Sequence, residues 1–238
     1  MQIGLFIPCL VDQYFPQAGL AVARILKRLG HSVEYPAEQT CCGQPAFNAG
    51  LRAEATALAK RFVRIFDRYD AVVAPSGSCV AMVRNFYPEL LGEGQEQARV
   101  PLAARTFEFS EFLVDRLNII DLGVTFNERV TYHDSCHLLR ELRVREQPRR
   151  LLHAVKGLEL VELNDGPACC GFGGVFSVKF PEVSTVMAED KVAAIERTGA
   201  RYVVAGDGGC LMHIGGMLTR RGSKVRPLHL AELLGGVA

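Results

Sequence analysis

Two adjacent cysteine pairs, each followed by glycine, constrain this chain more than any other feature: QTCCGQPA at residues 39–46 and PACCGFGG at residues 167–174. Eight cysteines placed at random in 238 residues give roughly 0.3 adjacent pairs, so two such pairs need a cause. Neighbouring Cα atoms stand about 3.8 Å apart, whereas a relaxed disulfide needs about 4.4–6.8 Å. Joining Cys41 to Cys42, or Cys169 to Cys170, makes a strained and easily reduced bond, whose one use is a vicinal thiol switch. The run MQIGLFIPCLVD has no basic start and is interrupted by Pro8, Cys9 and Asp12, which predicts no secretory leader. The expected compartment is the cytoplasm, where thiols stay reduced and serve metal binding or redox chemistry rather than a disulfide framework.

The cysteines expose an internal repeat. Cys9, Cys41, Cys42 and Cys79 are spaced by 32, 1 and 37 positions, and Cys136, Cys169, Cys170 and Cys210 by 33, 1 and 40. Their surroundings repeat too. DAVVAPSGSC (70–79) matches RYVVAGDGGC (201–210), and RTFEFSEFLVDRL (105–117) matches VRPLHLAELLGG (225–236). We expect two similar domains, residues 1–122 and 123–238.

Each half alternates strand and helix signals. QIGLFIP, HSVEYP, AVVAP and RTFEF are short apolar or β-branched runs in the first half; RVTYHD, LELVEL, YVVAG and VRPLHL are their counterparts in the second. Between them lie helical patterns: 17–30, with Leu20, Ala23, Ile25, Leu26 and Leu29 on one stripe, and 51–69, with Leu51, Ala55, Leu58, Ala59, Phe62, Val63 and Phe66. A helix is also expected from Ser110, as N-cap, through SEFLVDRL. The predicted class is α/β: two pseudo-symmetric halves, each a small parallel sheet flanked by helices.

That topology gathers the thiols. Cys9 and Cys79 follow the first and third strands, and Cys41–Cys42 lie in the loop after the second. Strand ends of a parallel sheet share one edge, the edge where open α/β sheets bind ligands. Four thiols per half therefore meet in one region, a set suited to a metal or an iron–sulfur cluster. Gly43, Gly171, Gly173 and Gly174 permit close approach to a bulky group and offer N–H donors to its sulfurs. The tight C-x₂₋₄-C knuckles of zinc sites are missing, which favours a multi-iron cluster. A zinc-binding scaffold subunit and a vicinal-thiol redox sensor are the alternatives.

The paired pattern C-x₃₁-CCG-x₃₅-C and C-x₃₂-CCG-x₃₈-C resembles the cysteine-rich CCG domain. That domain occurs in heterodisulfide reductase, in the iron–sulfur subunit of glycolate oxidase and in the lactate utilization protein A family. A chain made of two CCG halves, with IPCLVD at its start and YHDSCH in its middle, is most similar to the last. The resemblance implies an electron-transfer subunit of an oxidoreductase complex that converts L-lactate, or a similar 2-hydroxy acid, to pyruvate. It also implies one or two 4Fe-4S clusters held by the eight cysteines, with other iron–sulfur subunits as partners. In the heterodisulfide reductase relatives a fifth cysteine completes each motif; here Met82 and His213 stand at those positions, and His213 offers iron an additional ligand.

Other features narrow the function. The formal charge of +1 provides no field for nucleic acid, and no apolar run approaches the roughly 20 residues of a membrane span. No complete G-x-G-x-x-G or P-loop occurs, and no ferredoxin-type cysteine run. Two electrons from a hydroxy acid usually go to a flavin or nicotinamide, so the chain fits an electron-carrying or substrate-docking subunit better than a self-sufficient dehydrogenase. His133 and His137 are candidates for hydrogen bonding or proton transfer beside the thiols. A Cys136–His137 dyad is unfavourable if both lie on an extended strand. Arg140, Arg143, Arg145, Arg149 and Arg150 read as a solvated helix face or a carboxylate-holding patch.

Overall fold

The computed structural model describes residues 1–92, 101–164 and 168–236. Eight strands among them form two four-stranded sheets. The first contains β1 (Gln2–Leu5), β2 (Ser32–Glu34), β3 (Ala71–Ala74) and β4 (Thr106–Glu108) in the order β2-β1-β3-β4. The second contains β5 (Arg129–Tyr132), β6 (Glu159–Val161), β7 (Tyr202–Ala205) and β8 (Arg226–His229) in the order β6-β5-β7-β8. Every pairing is parallel. The expected class and the pseudo-symmetric halves are both present. The central strands β3 and β7 are continuous apolar runs because helices cover both sheet faces. The edge strands β2 and β6 remain partly exposed.

The helix Arg52–Phe66 buries Ala55, Ala59, Phe62 and Phe66, much as its periodicity predicts. The helix Pro16–Arg28 is turned relative to expectation. It buries Ala18, Ala21, Val22, Ile25 and Leu26 and leaves Leu20 exposed. The reason lies in its neighbour: this helix packs against Leu230–Leu234 of the other half, a contact that favours small residues. Reciprocally, the second-half helix Glu146–His153 packs against Phe109–Glu111 and Phe112–Arg116. One hydrophobic cluster therefore draws Ile25, Phe112 and Leu113 together with Leu151, Leu152 and Leu233.

The halves also meet at their symmetry-related loops. Ser76 and Asp207, which follow β3 and β7, form an isolated antiparallel bridge. Asp207 is buried, and its carboxylate accepts hydrogen bonds from Gly209 N (3.1 Å) at the start of its own helix and from Ser78 N (2.8 Å) at the start of the opposite one. A single side chain thus satisfies helix N-termini in both repeats.

Glu108 and His229 occupy equivalent positions and close equivalent capping boxes, with Glu111 and Glu232 as their partners. Ser110 is therefore not the N-cap. Its N–H and hydroxyl donate to the Glu108 carboxylate, because the helix already starts at Phe109, directly after the strand. His229 Nδ1 accepts from Ala231 N (3.1 Å), so Nε2 carries the proton and donates to Pro75 O (3.1 Å) across the junction. Burial raises Glu108 to about 7 and lowers His229 to about 4.

These shifts act in opposite directions. Between about pH 4.5 and 7 the folded chain holds the Glu108 proton that the unfolded chain has released, so this contribution falls as pH rises. Between about pH 4 and 6.5 the unfolded chain protonates His229's imidazole while the folded chain does not, so that contribution grows with pH. Over the shared window they nearly cancel. Glu108→Gln removes only the first. Relative to the wild type the variant is expected to gain about 3 kcal/mol between pH 4.5 and 7, measured by urea unfolding. A stability difference that stays constant with pH would contradict the assignment.

Candidate metal centre

Each thiol sits at the C-terminal end of a sheet strand or in the loop behind it. Cys9 opens the helix Cys9–Tyr14 after β1, and Cys79 lies in the helix Gly77–Ala81 after β3. Cys41 and Cys42 precede the helix Gln44–Asn48. In the second half Cys136 follows β5 and leads into the turn His137–Glu141, Cys169 and Cys170 precede Val175–Lys179, and Cys210 lies in Gly208–Arg220 after β7. Cys136 has helical backbone angles (φ −54°, ψ −47°), so the extended-strand premise used against a Cys136–His137 dyad does not hold. His137 instead faces Gln44 (3.4 Å) and Glu141 (3.6 Å).

The thiols of each half form a connected chain. Cys41 lies within hydrogen-bonding range of Cys9 and Cys42, and Cys42 within range of Cys79. Cys169 stands likewise between Cys136 and Cys170, and Cys170 reaches Cys210. Donation from Cys42 and Cys9 lowers Cys41 to about 3, and donation from Cys136 and Cys170 lowers Cys169 to about 2. The donors Cys9, Cys42, Cys136 and Cys170 are raised by the same contacts and by burial. Cys210 is lowered to about 6 by Cys170 and, next after the opposing effect of burial, by neighbouring His133. Metal binding requires thiolates, and each quartet already favours one.

All eight cysteines, which are free thiols, line one cavity of about 400 Å³ between the halves. Its remaining wall is mainly apolar, with Leu10, Val11, Phe172 and Val175, while Ser76, Ser78 and Asp207 also line it.

The CCG loops are built alike. Gly43 N donates to Cys41 Sγ and Gly171 N to Cys169 Sγ, both at 3.4 Å. Both glycines have left-handed backbones, φ 86° and 90°, which favours glycine. A Cβ on Gly171 would stand 2.7 Å from Ser184 O. Ser184's hydroxyl donates to Gly171 O (2.8 Å), so His213 Nε2, 3.2 Å from that hydroxyl oxygen, is the donor to it. His213 thereby supports the loop. Met82, at the matching place in the first half, is buried in an apolar cluster.

His133 stands closest to a pair of sulfurs. Its ring nitrogen and the sulfurs of Cys170 and Cys210 lie within 4.8 Å of one another.

Several positioning residues carry no signal in the sequence. Gln39 bonds Ile7 N (2.7 Å), Leu5 O (3.0 Å) and Pro36 O (3.0 Å), tying the first CCG loop to the end of β1. Tyr87's hydroxyl donates to Cys42 O (2.9 Å). Arg149 departs from its expected place on a solvated face. It is buried, forked onto Asp134 (2.8 Å for both bonds) and Glu162 (2.7 and 2.8 Å). The guanidinium therefore fixes the segment between β5 and Cys136 and is already engaged by two protein carboxylates. Arg145 and Arg150 are exposed, as a solvated face requires.

The CCG family, described as a cysteine-rich domain, matches residues 3–84 and 130–215, one copy in each half. The chain is 45% identical over 244 residues to lactate utilization protein A of Oceanobacillus iheyensis, with all of both chains covered. It is 46% identical over 236 residues to lactate utilization protein A of Geobacillus kaustophilus, covering 98% of each. The chain belongs to the lactate utilization protein A family. This family membership and the repeated CCG match agree with the resemblance drawn from the cysteine spacing. Among solved structures, a hypothetical protein from Helicobacter pylori superposes with a TM-score of 0.68 at 9% identity, over 98% of this chain and 48% of that one. That likeness speaks to fold alone. No helix among the described residues is long and apolar enough to cross a membrane.

Proposed function

We propose that this family member is a cytoplasmic iron–sulfur subunit that accepts electrons during oxidation of L-lactate, or a similar 2-hydroxy acid, to pyruvate. One observation carries the reading: two equivalent thiol quartets face a single cavity. Cys9, Cys41, Cys42 and Cys79 would hold one centre, and Cys136, Cys169, Cys170 and Cys210 the other, with the repeats divided between residues 122 and 123. The names of the relatives support the substrate class.

Thiolate chemistry fits iron and sulfide, and the Gly43 and Gly171 amides would hydrogen-bond ligating sulfur and stabilise its negative charge. Iron–sulfur clusters bound here supply one-electron steps. Lactate oxidation releases two electrons and two protons, so a flavin or equivalent two-electron acceptor on a partner subunit completes the reaction. The chain's own contribution is to hold the thiolates, limit water around them through the apolar wall and fix their separation through Asp207.

A strain lacking this chain is expected to lose growth on L-lactate as sole carbon source. Wild-type protein should restore growth, and Cys42→Ser or Cys170→Ser protein should not. Undiminished growth of the deleted strain would contradict the proposed pathway role.

A further inference from the structure

We infer that His133 is a ligand of the second centre, which makes the two centres chemically unequal: thiolate alone in the first half, thiolate with imidazole in the second. This rests on the iron–sulfur reading above.

His133 has no exposed surface, and beyond the sulfurs beside it neither Nδ1 nor Nε2 has a hydrogen-bond partner among the described residues. A buried imidazole left in that state costs about 1–3 kcal/mol per unsatisfied group. Coordination removes part of that cost. Metal–sulfur bonds near 2.3 Å and metal–nitrogen bonds near 2.0–2.1 Å place ligand atoms of one ion about 4 Å apart, and the His133 nitrogen with the Cys170 and Cys210 sulfurs already falls within 4.8 Å.

The repeat supplies an internal comparison. His133 precedes Cys136 by three residues, as Phe6 precedes Cys9. Phe6 is fully buried against Phe62 (4.9 Å) and Phe66 (5.6 Å). The fold therefore accepts a hydrocarbon ring at this position and does not itself demand a histidine. Ser135 continues the contrast. Its hydroxyl is also buried without a partner and lines the cavity, where the first half has Pro8. Of the other histidines nearby, His213 has its Nε2 committed to Ser184, and His137, which also lines the cavity, faces Gln44 and Glu141.

A neutral imidazole adds no negative charge where a thiolate would, so the centre has a higher potential with His133 than with a cysteine in its place.

The test uses Cys42→Ser protein, so that the second half supplies the signal, grown with ¹⁵N-histidine and studied by pulsed EPR alongside iron analysis. A ¹⁵N coupling of the size given by a directly bound imidazole is expected, lost in His133→Phe, which copies the first half. His133→Cys should retain iron and lower the midpoint potential. Iron without such a coupling, or a coupling that persists in His133→Phe, would overturn the inference while leaving the iron–sulfur reading intact. Absence of iron from wild-type protein would overturn both.

Discussion

Cys42→Ser is expected to remove the metal of the first half and spare the second, halving iron per chain; Cys170→Ser is expected to do the converse. The equivalent placement of these residues explains the symmetry. Each is buried at 2% exposure and bridges the preceding cysteine to the one in the helix after its half's third strand, Cys79 or Cys210. Serine retains the size but is a poor thiolate substitute for iron. The double variant should carry almost none. Iron and acid-labile sulfide, measured on anaerobically purified protein, decide the matter. Total loss from either single variant would mean that the cysteines serve one shared centre. No loss from either would remove these residues from the ligand set.

Asp207→Ala should damage both halves with one substitution. Its carboxylate is the acceptor for Ser78 N and Gly209 N and also stands 3.4 Å from Ser76's hydroxyl. Alanine leaves one buried and one part-buried donor unpaired at two helix starts, at a cost of about 2–4 kcal/mol and roughly 5–15 °C in melting temperature for a chain of this size. Cys79 and Cys210 lie close behind those donors in sequence, so iron retention should fall in the first half as well as the second. Asp207→Asn, which keeps one acceptor oxygen, should fall between. An unchanged melting temperature in Asp207→Ala would refute the cross-half role.

The sheets are legible in the sequence because the central parallel strands are short buried apolar runs, while edge strands such as β2 and β8 show only through their place in the repeat and the turn residues around them. Their order at the common edge then predicts that distant thiols converge. The short helices at the cysteines are not legible: Cys9–Tyr14, Gln44–Asn48 and Val175–Lys179 are too brief to display a helical period. Periodicity places Leu20 on the buried stripe because it cannot show which side a partner helix will cover. Arg149 reads as solvated because its partners Asp134 and Glu162 lie on separate segments. Asp207 and Gln39 read as ordinary turn residues, and only the meeting of the halves and the return of the loop to β1 reveal their roles. His133 is visible as a candidate beside Cys136, but its seclusion with two sulfurs is a three-dimensional fact.

The central claim is that thiols far apart along the polypeptide grip iron together in both repeats. Its most direct test is Mössbauer spectroscopy with iron and sulfide quantification on anaerobically prepared, ⁵⁷Fe-grown wild-type protein. The account predicts thiolate-ligated iron matched by acid-labile sulfide, enough for a cluster in each half. Stoichiometric zinc, or protein free of metal whose adjacent thiols cycle reversibly, would contradict it.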